Sequence, residues 1–191
     1  MIAVQYSTRD FERAVGMFDM APALARKALS RAVNKSIKGS RTDAVRLITA
    51  ETTLKAGIVR QAIFVRQAWW AGDEVKAEIN PNSRRMAMTK YKTTPSRVTK
   101  RRPKAGLRYQ QYRSGGASRV AGAFVAVLRS GHVGVFRRVG DKRLPIAELK
   151  APSVQFYFMN DKVREQLTEK ASERLEKNVA HEVSWALESG R

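Results

Sequence analysis

The chemistry open to this 191-residue chain is bounded by two histidines, His132 and His181, and by the complete lack of cysteine. Without cysteine there is no thiolate nucleophile, no disulfide and no Cys-based zinc site, and nothing points to an oxidising compartment. Two histidines are also too few for a His-rich metal centre. His132 stands in the run Ser130-Gly131-His132-Val133-Gly134. To act as a general base it would need a nucleophile and an orienting carboxylate within reach. Ser130, two residues away, makes no dyad, and the spacing of Glu78 and Asp141 ties neither acid to it, so His132 reads as a structural turn residue. His181 lies beside the apolar stripe of the last segment and reads as a helix-face residue. Gly115-Gly116 and Gly131…Gly134 match neither phosphate-cradling glycine pattern in a strand-to-helix setting. The acids near the C-terminus are spaced to pair with Lys and Arg on a solvated helix face. The sequence therefore leads us to expect no catalytic residue, no cofactor-binding residue and no metal ligand, and not an enzyme.

Charge carries more information. Lys and Arg total 37 against 17 Asp and Glu, a formal net charge of +20 with a pI near 11.0. Such a chain attracts polyanions: nucleic acid, an anionic membrane or an acidic protein surface. The excess is concentrated, because no acid occurs between Glu78 and Asp141 while fifteen Lys and Arg do. The densest run, 84-RRMAMTKYKTTPSRVTKRRPK-104, has two prolines, few large apolar residues and no helical or strand period. It is expected to be an extended basic loop or arm, mobile on its own. The candidate partner- or phosphate-contacting residues are Arg84, Arg85, Lys90, Lys92, Arg97, Lys100, Arg101, Arg102 and Lys104. Tyr91, Tyr109, Tyr112 and Phe136 alternate with cations in the manner of a base-stacking surface. Ordinary cross-strand packing is the reading we favour for them, since no RNA-recognition motif accompanies them. No apolar run reaches the roughly 18–20 residues needed to cross a bilayer. The N-terminus resembles no secretory signal, so a cytoplasmic protein without membrane contact is expected.

The elements that must hold these residues follow from periodicity. Residues 21–53 carry Ala21, Leu24, Ala25, Ala28, Leu29, Ala32, Val33 and Ile37 at three- and four-residue spacing, predicting one long helix with a weak point at Gly39. A short helix is expected over 55–62. Strands are predicted at 63–70, 74–80, 106–113, 122–129 and 133–139, with Ser114-Gly115-Gly116 and Ser130-Gly131-His132 as turns. Of the adjacent Trp69 and Trp70, only one can enter a given core. Val163, Leu167, Ala171, Leu175, Val179, Val183 and Leu187 form an i, i+4 stripe that predicts a long C-terminal amphipathic helix. The fold class expected is α+β: a long N-terminal helix, an antiparallel meander of four to five strands, a long C-terminal helix and the basic arm, all in one domain spanning 1–191.

The stretch 122-GAFVAVLRSGHVGVFRRVGDKRLPIAELKAPSV-154 is the most specific part of the chain. With ALARKALSRAVNKSIKGSRTDAVRLI before it, then LKAGIVRQAI, and a long final helix, it resembles the minor tail protein Z family of phages and prophages. The resemblance covers most of residues 20–190. It implies a virion structural protein that completes the head-proximal end of the tail and supports its joining to the head. It also implies a homo-oligomeric ring among other tail and neck proteins, with assembly in the host cytoplasm. It brings no catalytic residues. Phe124, Phe136, Ile146, Leu167 and Leu175 are the expected core or interface anchors. The competing reading is a sequence-independent nucleic-acid-binding protein, for which the charge is the warrant; a tail-end protein can also make non-specific contact with packaged DNA.

Overall fold

The computed structural model describes residues 22–101, 103 and 105–189. In chain order the elements begin with α1 (Pro22–Glu51), α2 (Ala56–Gln61), β1 (Ile63–Ala71), β2 (Glu74–Pro81) and β3 (Met86–Ala87). A single 3-10 turn, Met88–Lys90, leads to β4 (Lys92–Thr94), β5 (Leu107–Gln110), β6 (Ser118–Val120), β7 (Ala123–Val127) and β8 (Val133–Arg138). Then come β9 (Ile146–Glu148), β10 (Lys150–Ala151), α3 (Val154–Phe158) and α4 (Asp161–Ser189). Two compact units result. One holds the described part of Met1–Val45 with Ile63–Pro81 and Phe158–Arg191; the other holds Arg46–Ala62 and Asn82–Tyr157.

In the first unit, α1 and α4 run antiparallel. The polar contacts establish this: Asp43 pairs with Arg174, Ser36 Oγ accepts from Asn178 Nδ2 at 2.8 Å, and Lys35 pairs with Glu182. Descending α1 therefore means ascending α4. Small side chains line the seam, with Ala32, Ser36 and Ser40 fully buried. Both serines donate to the carbonyl four residues earlier, which satisfies their hydroxyls inside the helix. Gly39 is no break in α1. A Cβ there would collide with the Arg174 side chain, so the glycine supplies room for the cation that Asp43 holds.

The stripe on α4 is buried from Val163 through Leu167, Ala171, Leu175 and Val179. A strict i, i+4 stripe advances by about 40° per step on a helix of 3.6 residues per turn. By the end of α4 the buried position has moved to Glu182, whose carboxylate meets Lys35, and Val183 is only half-buried.

β1 and β2 form a hairpin with a register shift between Arg66 and Trp69, where Gln67 and Ala68 oppose one residue of β2. The bulge leaves the Ala68 N–H without a ladder partner, and Asn34 Oδ1 accepts it at 2.8 Å. It also puts Arg66 and Trp69 on one face, where the guanidinium lies 3.9 Å from the ring centroid. Trp70 points the other way, donating from Nε1 to Ser30 Oγ at 3.0 Å. The two tryptophans thus divide between the faces, as the strand period predicts.

The second unit corrects the expectation of one meander. Its eight strands pair as three antiparallel sheets, β10-β3, β4-β5-β6 and β7-β8-β9, separate from the β1-β2 hairpin. Strands of two to six residues pair only where a close partner exists, and β3 finds its partner late in the chain, with Lys150 opposite Ala87 and Ala151 opposite Met86. Gly131 takes φ +81 in the β7–β8 turn, a region that glycine enters freely, whereas Gly115 and Gly116 do not adopt positive φ.

The basic run is likewise not an arm over its whole length. Met86, Tyr91 and Thr93 are buried and the segment supplies β3, the 3-10 turn and β4; Pro95–Arg101 forms no helix or strand. Alternation explains the difference, since Thr93 faces inward while Lys92 and Thr94 face out. Backbone amides of β4 should therefore exchange with deuterium far more slowly than those of 96–101. Equal, fast exchange across 84–101 would contradict this placement.

Candidate functional site

Thr53 gathers three parts of the second unit. Its hydroxyl donates to Gln110 O at 2.6 Å and accepts from Lys92 N at 3.1 Å, and its own N–H donates to Gln111 O at 3.0 Å. The chain leaving α1 is thereby pinned to β4 and β5. Arg113 strengthens the same corner, its Nε donating to the carbonyls of Thr49 and Thr52, both at 2.9 Å. This is how a cation closes a helix C-terminus.

The consequence is a cleft of about 690 Å³ whose charged lining among the described residues is Lys55, Lys90, Lys92 and Arg113, with no acid. A second cleft of about 480 Å³ shares Lys90 and Ile58 with the first and adds Arg84, Arg85 and Lys150. Its one carboxylate among the described residues, Glu148, lies 2.8 Å from His132 Nε2. Among the described residues no carboxylate pairs with Lys55, Lys90, Lys92, Arg84, Arg85 or Lys150.

Of the cations singled out from sequence, Arg84, Arg85, Lys90 and Lys92 line the clefts, whereas Arg97, Lys100 and Arg101 are exposed and outside both linings. Arg102 and Lys104 lie outside the described residues. Lys55, Arg113 and Lys150 join from elsewhere in the chain. Among the anchors, Phe136, Leu167 and Leu175 are buried, and Phe124 and Ile146 are half-buried.

His132 does have a carboxylate, Glu148, which the sequence did not single out. The β8–β9 register sets Glu148 opposite Phe136. Gly134 keeps the approach open, since a Cβ there would stand 3.0 Å from Glu148 Oε1 and from the Phe136 ring. His132 also packs edge-on against Phe136. No hydroxyl hydrogen-bonds its imidazole among the described residues, so the pair ties β9 to the hairpin end and forms no nucleophile–base couple. Nor do the described residues contain a group of three or more His, Asp and Glu placed to hold a metal ion. No helix among them is long and apolar enough to cross a membrane.

The tyrosines between the cations are packed inward. Tyr91 and Tyr109 meet edge to face at 5.5 Å, and the Tyr91 hydroxyl lies 3.0 Å from that of Tyr157 and donates to Pro152 O at 2.9 Å. Burial is the chief cause that raises the pKa values of Tyr91, Tyr109 and Tyr157 above the ordinary tyrosine range. The neutral form is therefore favoured by folding. Its contribution is complete below the unfolded pKa of about 10 and is lost as pH rises further. In an alkaline titration these three phenols should ionise only together with cooperative unfolding. Smooth ionisation of all tyrosines near the ordinary value, with the fold intact, would contradict their burial.

Compared with known proteins, residues 12–189 match the family model described as prophage minor tail protein Z. No curated protein and no solved structure matches the chain.

Proposed function

Because the chain belongs to the prophage minor tail protein Z family, we propose that it completes the head-proximal end of a phage tail and supports the joining of that tail to the head. A structural role in the phage tail is what membership carries. The observation that supports the finer reading is the extent of the match, which runs through both compact units.

In this reading the protein works as a ring of identical copies among other tail and neck proteins, assembled in the host cytoplasm and retained in the virion. Head-to-tail contacts between copies close such a ring. Phe124, Phe136, Ile146, Leu167 and Leu175 hold its fold or its contacts, and the basic residues from Arg84 through Lys104 meet anionic neighbours.

The reading is tested by a phage or prophage carrying a stop codon early in this gene. Filled heads and tail tubes should accumulate separately, and purified protein added to the lysate should restore infectious particles. Normal yields of joined, infectious particles without the protein would overturn it.

A further inference from the structure

We propose that the two clefts flanking Lys90 form one track for the phosphodiester backbone of duplex nucleic acid, held without reading the bases. This goes beyond the assembly role and does not depend on where in the tail the protein sits.

Among the described residues, seven Lys and Arg line the clefts, and the one acid that lines them, Glu148, faces His132. Concave walls of one sign concentrate the field and draw in a polyanion. Because Lys90 and Ile58 line both clefts, the two adjoin, which suits a chain of regularly spaced charges better than a single compact anion.

The other lining groups specify which part of the nucleic acid is held. Thr89 and Ser96 offer hydroxyl donors beside the lysines of the first cleft, and phosphate oxygens accept from both kinds of group. Apart from the His132 imidazole, which is engaged by Glu148 and Phe136, the only aromatic ring among the described residues of either lining is Tyr91. Tyr91 is buried, with its hydroxyl already donated to Pro152 O. Among the described residues, no Phe, no Trp and no open Tyr face lines the track for a base to stack on. Backbone contact without base readout is what remains. The compact lysine charges of the first cleft and the guanidinium forks of Arg84 and Arg85 in the second both suit phosphate oxygens.

The test uses the full chain and a fluorescent duplex of mixed sequence. Lys55→Gln/Lys90→Gln/Lys92→Gln removes three charges from the track, and Lys142→Gln/Arg143→Gln/Lys177→Gln removes three exposed charges outside both clefts. All six side chains are exposed, so both variants should melt with the wild type. The cleft variant should bind at least tenfold more weakly, and its log affinity against log salt should be less steep by about 3, at roughly 0.9 for each phosphate no longer neutralised. The control should stay within about twofold of wild type, and a second duplex of different sequence should bind equally. Arg84→Gln/Arg85→Gln, in the other cleft, should weaken binding in the same direction. Equal losses in the cleft and control variants would show that net charge alone is at work and would overturn the proposal. Polyglutamate competing as well as duplex DNA at equal charge would overturn it in favour of an acidic protein partner.

Discussion

Leu175→Asp is expected to abolish cooperative folding of the first unit. Leu175 lies in the middle of the α4 stripe with only 7% of its surface exposed, between the fully buried Ala171 and the buried Val179. Introducing a carboxylate removes an apolar side chain whose burial contributes about 2 kcal/mol and adds a charge whose desolvation costs several more. Together these approach the roughly 5–15 kcal/mol that holds an ordinary domain together. The measurement is a thermal or denaturant melt followed by far-ultraviolet circular dichroism. A soluble variant that melts with the wild type would show that this face of α4 meets solvent.

Ser36→Leu should be nearly as damaging, although it substitutes a better helix former and a more apolar side chain. Ser36 has no exposed surface and sits where α1 meets α4. Forcing a larger side chain into a packed seam costs about 1–3 kcal/mol. The half-buried Asn178 amide also loses its acceptor, which adds to that cost. Ser36→Ala separates the two effects, since it keeps the close approach and removes only the hydrogen bond. It should lose clearly less. Stability of the leucine variant at or above wild type would mean that the seam has room to spare.

These effects depend on packing that a sequence shows unevenly. The long helices were legible because apolar spacing repeats over many turns, and so were the β1–β2 and β7–β8 hairpins, whose strands are long enough to alternate. Strands of two or three residues such as β3, β4, β6, β9 and β10 have no period to read, and β3 is decided by a partner at Lys150–Ala151. The basic run illustrates the same limit. Its charge marked it as an arm, yet Met86, Tyr91 and Thr93 turn inward and pack its first half into the core of the second unit.

Convergence was harder still. Lys55, Arg113 and Lys150 join Lys90 and Lys92 through strand register and the hydrogen bonds of Thr53, and charge density along the chain does not register such meetings. Glu148 reaches His132 because β9 pairs with β8 and because Gly134 lacks a side chain. Gly39, which sequence marks as a helix weakness, is instead a point of close approach for Arg174.

Position in the particle decides whether this chain finishes the end of the tail that meets the head. Imaging purified particles by electron microscopy, with a dense label fused to this chain, tests the proposed role most directly. The label should be confined to the junction between head and tail, and present also at one end of tails that have not yet joined a head. Label at the distal tip, label spread along the tube, or mature particles without the protein would contradict it.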